Sequence, residues 1–157
     1  NSKRIIFTEE LLFTLGLVFW SYARGHQPDI NGLEKFMDLG FINTILRSDY
    51  LPPTDMWFAG GHINYYYFGH LISAVLTKLS GATWGSSYNL MVATLFALTF
   101  TCTFSLAGNF IFSRSQSISR AFVAGVVGAL LVSLGGNFHT IYIAFKNILQ
   151  GSLPFLN

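Results

Sequence analysis

The chain has 157 residues, of which 52% are hydrophobic, 17% aromatic and only 10% charged. An average soluble domain is about 25% charged, so nine Lys and Arg and seven Asp and Glu side chains cannot cover a water-soluble protein of this size. We therefore expect a membrane protein. The formal net charge of +2 is too small and too dispersed for a nucleic-acid partner, which needs a basic stripe or patch. The single cysteine, Cys102, excludes an internal disulfide and a cysteine-based zinc cluster.

The charges divide the chain, because half of them fall between positions 24 and 55. A membrane-crossing helix needs roughly 20 mainly apolar residues, and the remaining stretches predict four such helices in a single all-α membrane region. We place them at residues 5–23, 61–79, 87–112 and 121–145, with a loop over residues 24–60 after the first. The predicted localisation is a multi-pass protein of the cell membrane. Because the sequence begins at Asn1 without an initiator methionine, we expect it to be part of a longer polytopic chain.

The loop between the first two predicted spans contains an amphipathic pattern. Apolar residues recur at three- and four-residue steps over residues 31–47, which predicts an interfacial helix on the membrane surface: Leu33, Phe36, Met37, Phe41, Ile45 and Leu46. Glu34 and Asp38 lie four residues apart and share the opposite face, and Lys35 precedes Asp38 by three. Two carboxylates on one face can bind a divalent cation, hold a general base or solvate the polar side. The bare pattern favours solvation.

The segment that follows is stiff and aromatic. Pro52 and Pro53 force extended backbone, and Gly60 and Gly61 permit a sharp reversal before the second predicted span. The aromatic residues there predict a belt at the membrane interface: Trp57, Phe58, Tyr65, Tyr66, Tyr67 and Phe68. Consecutive tyrosines point in different directions around a helix, so we expect some of them to face protein or a cavity.

Three short motifs, in order, carry a family resemblance. They are GLEKFMD at 32–38, PPTDMW at 52–57 followed by Ala59 and Gly60, and NYYYFGH at 64–70. With them, the chain resembles the YYY family of bacterial and archaeal membrane proteins over residues 10 to about 137. Met56 departs from the pattern, which has proline after the aspartate. The resemblance implies a longer protein, distantly similar to membrane glycosyltransferases that use polyprenyl-phosphate sugars.

That resemblance also implies roles for the loop residues. Asp38, Glu34 and Asp55 would form an acidic cluster in which one carboxylate acts as general base on the acceptor hydroxyl. Another would bind the acceptor or a divalent cation. Lys35 or Arg47 would stabilise the leaving phosphate. The sugar pocket would be formed by His62, Asn64, Tyr65, Tyr66, Tyr67 and His70. No metal-ligand spacing of histidines or cysteines occurs, so no metal ligand is assigned.

Other interpretations stay open. Asp55 can equally cap the turn after Pro-Pro-Thr. An imidazole in an apolar span can ligate a tetrapyrrole, but for His70 and His139 we favour a hydrogen-bonded histidine. The alternative function is a non-catalytic transmembrane subunit packed in a larger complex, such as an electron-transfer or photosynthetic core. Small residues in the last span suit such helix packing: Gly125, Gly128, Ala129 and Ser133. Four helices are too few to enclose a transferase site, so we expect the lipid bilayer and further transmembrane helices as partners.

Overall fold

The computed structural model describes residues 2–136 and residue 146, and this part of the chain forms five helices without a β-strand. The helices are α1 (Ser2–His26), α2 (Leu33–Arg47), α3 (Phe68–Ser80), α4 (Trp84–Ser115) and α5 (Ile118–Leu134). They belong to two compact units, one formed by Thr14–Ala97 and the other by the described residues of Asn1–Phe13 and Leu98–Asn157. The expected all-α fold class is confirmed for the described residues.

Two of the five helices are long and apolar enough to cross a membrane. They cover Ile5–His26 within α1 and Trp84–Ser115, which is all of α4. The predicted spans at 5–23 and 87–112 lie within them. An arginine near the end of α4, Arg114, places its guanidinium 5.7 Å from the centre of the Phe110 ring. A tryptophan at one end and an arginine at the other are typical of a helix whose ends reach the two membrane interfaces.

The third helix differs from the prediction of a span at residues 61–79. It begins only at Phe68, because the backbone groups just before it form a folded turn. Ile63 N–H donates to the Pro53 carbonyl at 2.9 Å, and Thr54 pairs with His62 in an isolated β-bridge. The 13 residues of α3 extend about 20 Å at 1.5 Å per residue, which is short of the roughly 30 Å hydrocarbon core. The predicted span at 121–145 begins within α5, which ends at Leu134. Residues 137–145 of that span lie outside the described residues.

The unit Thr14–Ala97 is built around the contact between α2 and α3. Ile42, Ile45, Ala74 and Tyr88 are buried together, and half-buried apolar residues surround them: Ile30, Leu39, Leu46, Tyr67, Leu71 and Val92. The predicted helix at 31–47 is present, but its buried face is only partly the predicted stripe, of which Phe41 and Ile45 are buried. Phe36 remains 56% exposed, whereas Ile42, outside that stripe, is only 3% exposed. The reason is that α2 packs against protein, so the position of α3 decides which apolar residues it buries.

Within the same unit, an aromatic stack and a polar contact connect the C-terminal part of α1 to the N-terminal half of α4. Trp20 stacks on Phe96 with ring centres 4.5 Å apart. Arg24 donates through Nε and Nη2 to Asn89 Oδ1 at 2.9 and 2.5 Å, and Asn89 Nδ2 donates to the Pro28 carbonyl at 3.1 Å. Helix α1, the connecting segment and α4 are thereby tied together at one place.

The second unit contains a tight antiparallel hairpin of α4 and α5. Three glycines allow the backbones to approach closely: an added Cβ would lie 2.8 Å from the Phe104 carbonyl oxygen at Gly125, 2.9 Å from Ala107 Cβ at Gly128 and 3.3 Å from the Ala121 carbonyl oxygen at Gly108. Helices in membranes pack through small residues of this kind. Gly125 and Gly128 belong to the small-residue face predicted from the sequence.

Candidate functional site

A carboxylate and an imidazole from two helices meet in the unit Thr14–Ala97. Asp38 Oδ1 on α2 lies 3.0 Å from His70 Nε2, in the first turn of α3, with 33% of the Asp38 side chain and 14% of the His70 side chain exposed. His70 Nδ1 is buried, and no described residue hydrogen-bonds it. A buried N–H without an acceptor is rare because it is costly, so we assign the ring proton to Nε2, which donates to Asp38. We call this contact the Asp38–His70 pair.

Aromatic rings surround the pair. Phe41, one turn after Asp38, is buried and lies perpendicular to the His70 ring at 5.2 Å. Its ring centre is also 6.4 Å from Tyr65 and 6.2 Å from Trp57. The ring centre of Tyr66 lies 3.9 Å from that of Tyr65 and 6.4 Å from that of His70. Because Tyr65, Tyr66 and Trp57 are more than half exposed, they form an open aromatic surface beside the carboxylate.

The electrostatics of this surface link the tyrosines to the acidic residues of α2. The pKa of Tyr66 is raised above its ordinary value of 10.0, first by a side-chain hydrogen bond with Tyr65 and then by desolvation. The negative charges of Asp38 and Glu34 raise it further. A hydrogen bond raises the pKa of a phenol when the phenol donates it, so the Tyr66 O–H donates to Tyr65 and the Tyr66 oxygen stays free to accept.

Asp55 stabilises the turn that follows Pro52 and Pro53. Its Oδ1 accepts hydrogen bonds from the backbone N–H of Trp57 at 2.8 Å and of Phe58 at 3.1 Å. Its own N–H donates to the Gly61 carbonyl at 2.9 Å. This is the turn in which an aspartate bonds the backbone two and three residues ahead, so the geometry agrees with the capping interpretation of Asp55. Met56, at the position where the resemblance predicts proline, packs its thioether against Gly40 of α2.

The remaining candidates lie at several places. Glu34 and Lys35 are exposed on α2 near Asp38, and His62 and Asn64 are exposed in the segment before α3. Arg47 is in the last turn of α2, about 14 Å from Asp38 along the helix axis. Tyr67 is half-buried against the core cluster. The structure thus brings together Asp38, His70, Tyr65, Tyr66 and Glu34, whereas Arg47 lies at the other end of α2.

Sequence reasoning missed two groups at this end of the unit. Phe41, taken only as an apolar helix residue, is the ring that joins His70 to Tyr65 and Trp57. The contact of Arg24 with Asn89 was also missed. Its signal was available, because an arginine at the end of one apolar stretch and a lone amide early in another both need partners near a membrane.

The described residues group no set of side chains that could hold a metal ion. Within residues 2–136, no three His, Cys, Asp or Glu side chains lie close enough together for this. His70 Nε2 contacts Asp38 and His70 Nδ1 is buried, so neither ring nitrogen is open to a ligand from outside, which favours the hydrogen-bonded histidine. His139 lies outside the described residues.

One small cleft lies near the C-terminal end of α2. Its volume is about 170 Å³, and it is lined by Ile45, Ser48, Asp49, Tyr50, Leu51, Leu71, Ala74, Val75 and Lys78. Pockets for whole small molecules measure roughly 300–1,000 Å³. The cleft is therefore smaller than a typical small-molecule pocket.

Comparison with known proteins gives one match. The sequence model of a family described as uncharacterized membrane protein (DUF2298) matches residues 1–154. The chain belongs to this family. Neither a curated protein nor a solved structure matches it. Membership of DUF2298, together with the apolar helices α1 and α4, makes the chain an integral membrane protein that lies in a lipid bilayer. This confirms the membrane-protein class expected from the sequence, while the family description names no activity.

Proposed function

We propose that the chain forms the acceptor-activating part of a multi-pass glycosyltransferase of the cell membrane that uses a polyprenyl-phosphate sugar. The observation that supports this is the Asp38–His70 pair beside the open rings of Tyr65 and Tyr66. A carboxylate fixed by an imidazole suits a general base, and exposed aromatic faces suit the apolar face of a sugar ring. The distant glycosyltransferase resemblance of the loop motifs points to the same chemistry.

In the proposed reaction, the acceptor hydroxyl oxygen forms a bond to the anomeric carbon of the donor sugar. The bond between that carbon and the phosphate oxygen breaks, and its electron pair leaves with the polyprenyl phosphate. Asp38 takes the hydroxyl proton. His70 is a positioning residue, because its Nε2–H holds one carboxylate oxygen and leaves the other free for the acceptor.

The neighbouring side chains have supporting roles in the proposal. Tyr66 accepts a hydrogen bond from a sugar hydroxyl, since its own O–H donates to Tyr65. Lys35 is the nearer of the two basic residues to Asp38 along α2, so we assign it to the leaving phosphate in place of Arg47. Asp55 holds the turn that presents Trp57.

The test is transfer by membranes that contain the full-length protein, given polyprenyl-phosphate glucose or mannose and assayed for release of polyprenyl phosphate. We expect Asp38→Asn to lower the rate about 10²–10⁴-fold, the usual contribution of a general base. Asp55→Asn is the matched control, because an asparagine oxygen can still accept from the Trp57 and Phe58 N–H groups, and it should keep most of the activity. Full transfer by Asp38→Asn, or no transfer by the wild type with either donor, would reject the proposal.

A second candidate is the non-catalytic subunit. It is favoured by the helix α1, whose membrane-length segment buries none of its residues within the described chain and could pack against helices of a larger complex. In that case the Asp38–His70 pair only fastens α2 to α3. Asp38→Asn would then lower the thermal stability of the protein and weaken its co-purification with a complex.

A further inference from the structure

Helix α3 is amphipathic in the reverse sense to a helix of a soluble protein. Its inward face, toward α2, carries the small or polar residues Ser73, Ala74 and Thr77, and the two hydroxyl-bearing residues are each only 6% exposed. Its outward face carries large apolar side chains that are 45–78% exposed, which we call the apolar stripe: Phe68, Ile72, Val75, Leu76 and Leu79. Large apolar residues outside and hydroxyls inside are the arrangement that a lipid environment favours.

The ends of α3 decide how it can lie in the bilayer. If α3 stood upright with Phe68 among the headgroups, Lys78 would lie about 15 Å deeper, at the centre of a roughly 30 Å core. A lysine is most costly at that depth. If it stood the other way up, the irregular backbone before Phe68 would be exposed to hydrocarbon, which does not occur. A flat orientation avoids both costs.

The flanks of the helix fit the flat orientation. At 100° per residue, Lys78 lies about a quarter turn from the centre of the apolar stripe, at the boundary between its apolar and polar faces. The exposed residues Tyr65 and Tyr66 precede the helix, and aromatic residues of this kind sit at headgroup level. Both ends of α3 therefore carry residues of the membrane interface.

We propose that α3 lies flat in one leaflet of the bilayer, with its apolar stripe in contact with the acyl chains and α2 on its water side. Helix α2 buries Phe41, Ile42 and Ile45, whereas Glu34, Lys35 and Arg47 are exposed. Because the Asp38–His70 pair lies between the two helices, this orientation places it at the level of the headgroups. The inference does not depend on any catalytic activity.

The test uses spin labels on the full-length protein in phosphatidylcholine–phosphatidylglycerol vesicles, in a cysteine-free background that includes Cys102→Ala. Single labels at Ile72→Cys, Leu76→Cys and Leu79→Cys report on the apolar stripe. Ser73→Cys and Lys35→Cys are the controls for a protein-facing and a water-facing position. Collision rates with oxygen, which concentrates in lipid, and with a water-soluble nickel complex give the depth of each label.

We expect the three stripe labels to collide several-fold more often with oxygen than the Ser73→Cys label does. Their depths should agree to within about 3 Å, at the 5–10 Å typical of interfacial helices. A crossing helix would instead place the labels at 72 and 79 about 10 Å apart in depth. That result, collision with nickel at the stripe, or protection from both reagents by a protein partner would each overturn the proposal.

Discussion

Replacing Gly125 by alanine tests the packing of α4 against α5. The added Cβ would lie 2.7 Å from Phe104 Cδ2 and 2.8 Å from the Phe104 carbonyl oxygen, whereas carbon atoms in contact are about 3.5–4.0 Å apart. The ring could turn aside, but the carbonyl is part of the α4 backbone. The helices must therefore separate by roughly 0.5–1 Å, which forfeits about a quarter to a half of the dispersion energy of each affected contact.

Overpacking of this kind costs about 1–3 kcal/mol. Alanine gains about 1 kcal/mol over glycine in a helix interior, so we expect Gly125→Ala to lower the free energy of unfolding by about 1 kcal/mol. The matched control is Gly85→Ala in the first turn of α4, where no neighbouring atom lies within 4 Å of the added Cβ. That variant has no packing cost and should be at least as stable as the wild type.

The measurement is unfolding in mixed micelles by titration with sodium dodecyl sulfate, followed by far-ultraviolet circular dichroism. Wild type, Gly125→Ala and Gly85→Ala are compared at the same protein and lipid concentrations. If Gly125→Ala unfolds at the same detergent fraction as Gly85→Ala, or a higher one, the close contact of α4 and α5 does not limit the stability of the protein and the reasoning is refuted.

Two further predictions concern polar contacts. Arg24→Met should destabilise the protein by about 1–3 kcal/mol, because it leaves the Asn89 side-chain oxygen without its donor. In the same detergent titration, the double variant Arg24→Met/Asn89→Leu should recover part of this loss. If the losses of the two single variants simply add, the two side chains do not interact directly. Tyr65→Phe should lower the pKa of Tyr66 toward 10, because the hydrogen bond is the largest cause of its elevation. The phenolate absorbance difference between proteins with and without Tyr66→Phe isolates this titration. A raised pKa means that the folded state is stabilised while Tyr66 is protonated. This stabilisation is complete below pH 10 and is lost as the pH rises through the pKa of Tyr66 in the folded state. An unchanged Tyr66 titration in Tyr65→Phe would contradict the assignment.

The elements that the sequence predicted well are those with a strong local signal. Helix α2 begins at Leu33 and ends at Arg47, within the predicted range of 31–47, which was read from apolar residues at three- and four-residue steps. Helix α4 extends the predicted range of 87–112 by three residues at each end, since its uncharged stretch is long enough to indicate a helix by composition alone.

The beginning of α3 could not be predicted in the same way. Residues 61–67 are uncharged and rich in aromatic side chains, so the prediction from composition included them in one span with the apolar residues that follow. Their backbone conformation depends on hydrogen bonds from Asp55 and Ile63 to residues up to ten positions away, which a search for hydrophobic stretches does not detect. The spacing of Ser73 and Thr77 indicates that α3 has one polar face. Only the contact with α2 shows that this polar face points into the protein.

The candidate site shows the same division between local and long-range information. Asp38 was identified from its spacing to Glu34 and from the family motif, and His70 from another motif, but their contact spans 32 residues of sequence. The periodicity of neither helix determines which of its residues faces the other. The long-range packing of Ile42 and Ala74 sets that register, and with it the distance between the carboxylate and the imidazole.

Helix α4 also makes the protein sensitive to the thickness of its membrane. From Trp84 to Arg114 it measures about 45 Å at 1.5 Å per residue, close to the roughly 40–45 Å of a bilayer with both headgroup layers. Its apolar stretch, residues 90–112, is about 35 Å long and fits a 30 Å core with a tilt of about 30°, within the usual range. Thinner bilayers would require a larger tilt and thicker ones a smaller tilt, each at a fraction of a kcal/mol per Å. Hydrophobic mismatch would therefore change the angle of α4, and we expect the protein to partition toward membranes whose thickness this helix matches.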